Sequence, residues 1–191
     1  MDNTKLHSAE EFWTWRHRPE NAERWWELER GRIVEKRPHS KLLQAPFAQV
    51  GELAAFHLNA YCERMGHGCV GRGTGIVTQR DPDTVRVPDL VVFEHADMCA
   101  LGFIEEWPWL TVEVALPRDT FGGMMRRAAE FFAMGAPLLW VIDPLARNLA
   151  ILRREQAPRL VGEQEDVVCE DVLPGFRCRV GELLPVLSPN G

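Results

Sequence analysis

Two carboxylates stand inside strand-like runs where a bare charge is costly. In "VRVPDLVVF" the alternating positions Val87, Asp89, Val91 and Phe93 share one face. In "LTVEVAL" Glu113 shares a face with Thr111 and Ala115, while Leu110, Val112 and Val114 form the aliphatic face. If these two strands pair, Asp89 and Glu113 converge on one spot. Close carboxylates repel and need a cation or a shared proton. Hard oxygen donors of this kind suit magnesium or manganese. The plainer reading is a buried salt bridge from both acids to Arg127, but two carboxylates against one cation leave a charge unmatched.

The elements that would position these acids follow from the patterning. Ser8 and Glu11 form a capping-box pattern that opens a short helix over Ser8–Arg16. "WWELE" and "RIVEK" flank Arg30-Gly31 and read as a hairpin. Leu43, Phe47, Val50, Ala54, Leu58, Tyr61 and Met65 recur at helical spacing and predict a helix over Ala45–Arg64, with Pro46 in its first turn. "CVGRGTGIVTQ", "VRVPDLVVF" and "LTVEVAL" are three strand candidates, the first two separated by a turn at Asp81-Pro82-Asp83. "TFGGMMRRAAEFFAMG" predicts a second long helix capped by Asp119 or Thr120 and stopped by Gly135. "PLLWVID" and "LAILRRE" are further strands around a Pro144 turn, and "DVLPGFRCRV" closes the chain with a Pro-Gly turn. Helices among this many strands predict a mixed α/β (α+β) layer.

The totals bound the function. The chain has 191 residues, 46% hydrophobic and 26% charged, which suits a single domain over 1–191. Within it we read an N-terminal extension over about 1–40, a core over about 41–155 and C-terminal strands over about 156–191. No apolar run is long enough to span a membrane, and the first residues lack a signal-peptide pattern, so a cytoplasmic location is expected. Five cysteines without a CxxC pair predict reduced, packed thiols. "GRGTG" lacks both the P-loop lysine and the dinucleotide spacing. The net charge of −6 argues against avid, non-specific nucleic-acid binding, so any such role needs a local basic patch or metal ions.

The ordered set "WELERGRIV", "VRVPDLVVF", "LTVEVALPRDT", "RRAAEFFAMGAPLLWVIDP" and "DVLPGF" resembles the Uma-two-like restriction endonuclease family, within the PD-(D/E)xK nuclease superfamily. The resemblance spans roughly 25–187. It implies a restriction-endonuclease-like central mixed sheet flanked by helices. It also implies hydrolysis of phosphodiester bonds in nucleic acid, DNA first, with Mg2+ or Mn2+ as cofactor. Asp89 and Glu113 take the metal-binding positions, and Glu27 takes the family's N-terminal glutamate position. A homodimer would let two sites address two strands.

Three departures stand out. The superfamily lysine position after the second acid is Ala115. The family's alternative, a lysine on the next helix, maps to Arg127, and Leu116 replaces the usual serine. The polar residue expected early in the first long helix has Gln44 as its nearest match. On a helical wheel of about 100° per residue, Arg127 lies about 60° from the stripe Met124, Ala128 and Phe131, so it borders the core and can reach Glu113. A guanidinium holds its proton and cannot act as a general base. The alternative is therefore a catalytically degraded nuclease-fold protein that binds nucleic acid or protein.

Three further features have plain readings. Glu27 could face solvent opposite Arg32 in the hairpin. Trp13, Trp15, Trp25 and Trp26 could stack bases, but suit core or subunit packing better. His7, His17, His39, His57, His67 and His95 show no ligand spacing and are assigned no chemistry, His57 being read as a boundary residue.

Overall fold

Pairing of the acid-bearing strands organises the molecule. The computed structural model describes residues 5–37, 41–94 and 102–186, with only the backbone course for residue 37 and residues 41–46. His39, His95 and Cys99 lie outside these residues, as does the side chain of Gln44.

Helix α1 (Ala9–Arg16) starts at the expected capping box: Ser8 and Glu11 satisfy each other's backbone N–H groups. The hairpin β1 (Trp25–Glu29) and β2 (Arg32–Arg37) turns through Arg30 and Gly31, both at positive φ. Helix α2 runs Lys41–Met65, starting earlier than its periodicity predicted and placing Pro46 beyond the first turn. The packed stripe Phe47, Val50, Ala54, Leu58 and Tyr61 outweighs the one helical bond that proline removes. Met65, expected in that stripe, is exposed at the helix end.

Two predicted strands each divide in two, and this places the site. "CVGRGTGIVTQ" becomes β3 (Cys69–Arg72) and β4 (Ile76–Gln79), broken at Gly73, whose φ of 59° ends the strand. "VRVPDLVVF" becomes β5 (Thr84–Arg86) and β6 (Leu90–Phe93), broken at Pro88, which cannot donate to a ladder. In each case the first and second halves join different sheets.

Next come β7 (Leu110–Val114), α3 (Phe121–Ala133), β8 (Leu138–Asp143), β9 (Asn148–Leu152), β10 (Arg159–Gly162), β11 (Asp166–Val168), β12 (Arg177–Arg179) and a 3-10 turn at Val180–Leu183. Thr120, rather than Asp119, caps α3 by accepting from Gly123 N. The six-stranded sheet has the order β10-β9-β8-β7-β6-β3. It is mixed: β7 and β8 are parallel, joined by the α3 crossover, and the other pairs are antiparallel. A four-stranded sheet, β2-β1-β5-β4, lies beside α1, and β11-β12 form a separate hairpin.

Burial follows the two faces of the large sheet. Leu110, Val112 and Val114 pack with α2 and the C-terminal segment. Ala115, Leu139 and Val141 pack with Ala128, Phe131 and Phe132 of α3. A third cluster joins Phe12 of α1 to Trp26, Leu28 and Val85. Three of the four N-terminal tryptophans serve packing: Trp15 meets Trp26 edge-on at 5.1 Å, and Trp13 meets Phe103 at 5.1 Å, whereas Trp25 is exposed.

Candidate active site

Asp89 and Glu113 are brought together as their strand patterns require. Asp89 immediately precedes β6, and its Oδ2 accepts from Val114 N at 2.7 Å. Its own N–H donates to the Val112 carbonyl at 3.1 Å, so the acid is stitched to β7 on both sides. Glu113 lies on the α3 face of β7, where the aliphatic residues of the same strand do not point. Both acids are buried, at 7% and 8% exposure.

The cation between them is Lys36. Its Nζ lies 2.8 Å from Glu113 Oε2 and 3.5 Å from Asp89 Oδ1, and it donates to the Val87 carbonyl at 2.6 Å. The single-cation account of these acids is thereby corrected: Lys36 and Arg127 both serve Glu113, and Lys36 serves Asp89. Sequence reasoning missed Lys36 because it sits at the end of a hairpin strand, far along the chain from either acid. One signal was available. Glu27 pairs with Val34, so strand alternation puts Lys36 on the same face as Glu27.

Arg127 reaches Glu113 as the helical wheel predicted. Its Nη2 donates to Glu113 Oε1 at 2.6 Å. It also clamps Glu27 through two bonds, Nη1 to Oε2 at 2.7 Å and Nη2 to Oε1 at 2.8 Å. This paired geometry is specific to a guanidinium. Burial lowers the Arg127 pKa, but Glu113 and Glu27 outweigh it and hold the group well above the usual guanidinium range.

Glu27 is 2% exposed, so it does not face solvent, and Glu29 rather than Glu27 lies opposite Arg32. Its Oε1 also accepts from Val87 N at 2.8 Å, and Arg86 Nη1 stands 3.3 Å from its Oε2. Burial raises the Glu27 carboxyl, but Arg127, then Lys36 and Arg86, outweigh that and hold it at about 2. Arg86 in turn pairs with Glu130 of α3 through Nη2 at 2.8 Å. Glu27, Lys36 and Arg86 come from the small sheet, Asp89 and Glu113 from the large one, and Arg127 and Glu130 from α3. The divided strand β5–β6 carries the chain from one sheet to the other at this point.

Glu27, Lys36, Glu113 and Arg127 line a cleft of about 370 Å³. Arg118 and Arg126, both exposed, line it as well. The lining sets five basic groups, Lys36, Arg86, Arg118, Arg126 and Arg127, against five acidic ones, Glu27, Glu29, Glu35, Glu113 and Asp119, on a chain of net charge −6. The arrangement can seat a cation between two acids and face an anion with the exposed guanidinium groups.

A mixed sheet with an acid entering one strand, a second acid on its neighbour and flanking helices defines a restriction-endonuclease-like fold. The family model described as "Uma2: Putative restriction endonuclease" matches residues 9–181. The chain belongs to this family, which makes it a nuclease at the family level. Its fold is similar to the crystal structure of a putative nuclease belonging to DUF820 from Anabaena variabilis. That match has a TM-score of 0.72 at 17% identity, covering 92% of this chain and 96% of the other. No curated protein matches the sequence. Among the described residues, no helix is long and apolar enough to cross a membrane.

Proposed function

We propose that this protein is a divalent-metal-dependent endonuclease that hydrolyses phosphodiester bonds of nucleic acid, DNA first. The observation that carries the reading is the Lys36 ammonium between Asp89 and Glu113. A nuclease centre of this superfamily's pattern needs two acids and a lysine. Ala115 leaves the strand position without one, and Arg127 cannot release a proton. Lys36, entering from β2, restores the third member.

The residues fit a divalent ion. Asp89 Oδ1, Glu113 Oε2 and the Val87 carbonyl are three hard oxygens facing one cationic nitrogen. Such donors suit Mg2+ or Mn2+, provided Lys36 gives way. When bound, the ion would lower the pKa of a water and offset charge on the transition state.

The protein's own groups do the rest. Asp89 is fixed by the backbone of β7, and Glu113 by Arg127, so neither acid must be ordered when a cation arrives. Glu27 holds Arg127 in place through two bonds and acts as a positioning residue. Arg118 and Arg126 offer guanidinium forks to backbone phosphates. Lys36, on a flexible stem with three donors, can turn from the acids to a phosphoryl oxygen.

The second reading is a catalytically degraded protein that binds nucleic acid or a protein partner. One observation favours it: the buried acids are already matched by Lys36, Arg86 and Arg127. A cytoplasmic homodimer, each chain acting as one unit, is the form we propose, since two sites could then cut two strands.

Calorimetric titration of Mn2+ into wild type and Glu113→Ala, with a plasmid-nicking assay on the same samples, separates the readings. Metal-dependent nicking by wild type alone supports the endonuclease. Nucleic-acid binding by a wild type that never nicks selects the second reading.

A further inference from the structure

The face of the large sheet opposite Glu113 carries a second group of ligand-type side chains. His57 projects from α2, Cys178 from β12 and Glu182 from the 3-10 turn, and one donor atom of each lies within 4.8 Å of the others. His57 Nε2 stands 3.9 Å from Glu182 Oε2, and Cys178 Sγ stands 3.5 Å from the same oxygen. Helix α2 and the contiguous β12 and 3-10 segment, far from it in the chain, thus bring an imidazole, a thiol and a carboxylate together. Cys178 is buried, His57 half-buried and Glu182 exposed.

These spacings can be compared with those a metal imposes. With Zn–S of about 2.3 Å and Zn–N or Zn–O of about 2.0 to 2.1 Å at tetrahedral angles, neighbouring donors stand about 3.6 Å (S···O) and about 3.4 Å (N···O) apart. The first agrees with the observed separation. The second requires a shift of about half an ångström by a half-exposed carboxylate. The thiol donates weakly to Glu182 and to the Arg179 carbonyl, at 3.5 and 3.4 Å. A thiol and an imidazole are poor ligands for magnesium and good ones for zinc.

We propose that His57, Cys178 and Glu182 form a zinc site, with a water completing the tetrahedron on the solvent side of Glu182. Binding releases the Cys178 proton to solvent. The ion ties the C-terminal β11–β12 hairpin and the 3-10 turn to α2, adding to the apolar packing there and to the bonds that Tyr61 Oη and Arg64 Nη2 donate to the Pro174 and Gly175 carbonyls. The site lies on the α2 face of the sheet, whereas Glu113 and Arg127 lie on the α3 face, so its existence does not depend on the nuclease reading.

The test is a Co2+ titration of chelator-treated full-length protein, read by the sulfur-to-cobalt charge-transfer absorption, with Zn2+ added afterwards. The expected result is a thiolate–cobalt band in wild type and in Glu113→Gln, bleached by Zn2+ and absent from Cys178→Ser. Because Cys178 is buried and its variant could lose its fold, Glu182→Gln is measured beside it. Losing a ligand should weaken Zn2+ binding at least as much as the roughly tenfold typical of losing an outer partner. A wild type without the band, a band that survives Cys178→Ser, or Zn2+ affinity unchanged in Glu182→Gln would overturn the proposal.

Discussion

The Lys36 ammonium stands 2.8 Å from Glu113 Oε2, although 77 positions separate the two residues in the chain. It sits where the oxygens of Asp89, Glu113 and Val87 converge, so a divalent ion must compete with it. Lys36→Met keeps much of the side-chain length and removes the charge. Calorimetry should find Mn2+ bound at least about tenfold more tightly by this variant, since one opposing charge is gone, while plasmid nicking is lost. Equal Mn2+ affinity in the two proteins would show that Lys36 does not hold the cation seat.

Arg127→Lys separates the two functional readings. If Arg127 were the only reason for weak chemistry, lysine there should raise nicking. We expect no gain, because Lys36 already supplies the ammonium. Instead the variant should lose about 2 kcal/mol of stability, as the paired bonds to Glu27 and the bond to Glu113 cannot all be made by one point charge. Urea unfolding read beside nicking checks both parts, and a restored or increased rate would favour the degraded-enzyme reading.

Asp89 has a structural and a chemical duty that two substitutions can separate. Asp89→Asn keeps an oxygen for the Val114 N–H, so its stability should stay within about 1 kcal/mol of wild type while Mn2+ affinity falls. Asp89→Ala abandons a buried backbone donor and should cost about 1–3 kcal/mol more. Thermal unfolding with and without Mn2+ distinguishes them. Wild-type Mn2+ affinity in Asp89→Asn would remove Asp89 from the ligand set.

Glu27 should make stability fall in acid. Its folded pKa, about 2, lies below the ordinary carboxyl value of about 4.3. The group therefore contributes stability above its unfolded pKa, and that contribution is lost as pH falls from about 5 towards 2. Its size is on the order of 3 kcal/mol. Urea midpoints measured across this window should decline less steeply for Glu27→Gln than for wild type. Parallel pH profiles would mean that Glu27 is not the group being titrated.

Much of the site was legible in local pattern. Alternation in "LTVEVAL" and the proline in "VRVPDLVVF" put Glu113 on the α3 face and Asp89 at a strand start. Helical spacing put Arg127 within reach of Glu113. These are properties of periods of two and 3.6 residues, which a short window contains in full.

Other features required the tertiary structure. Gly73 and Pro88 were visible as breaks, but which sheet each half-strand would join depends on pairing between distant segments. Glu27 read equally well as an exposed hairpin residue until the large sheet and α3 buried it. Lys36 and His57 carried no motif, because their partners lie on other elements. By itself the sequence determined the element types, the acid pair and the family. Only the tertiary structure decided which cations neutralise those acids, because a charge is matched by proximity in space and not by spacing in the chain.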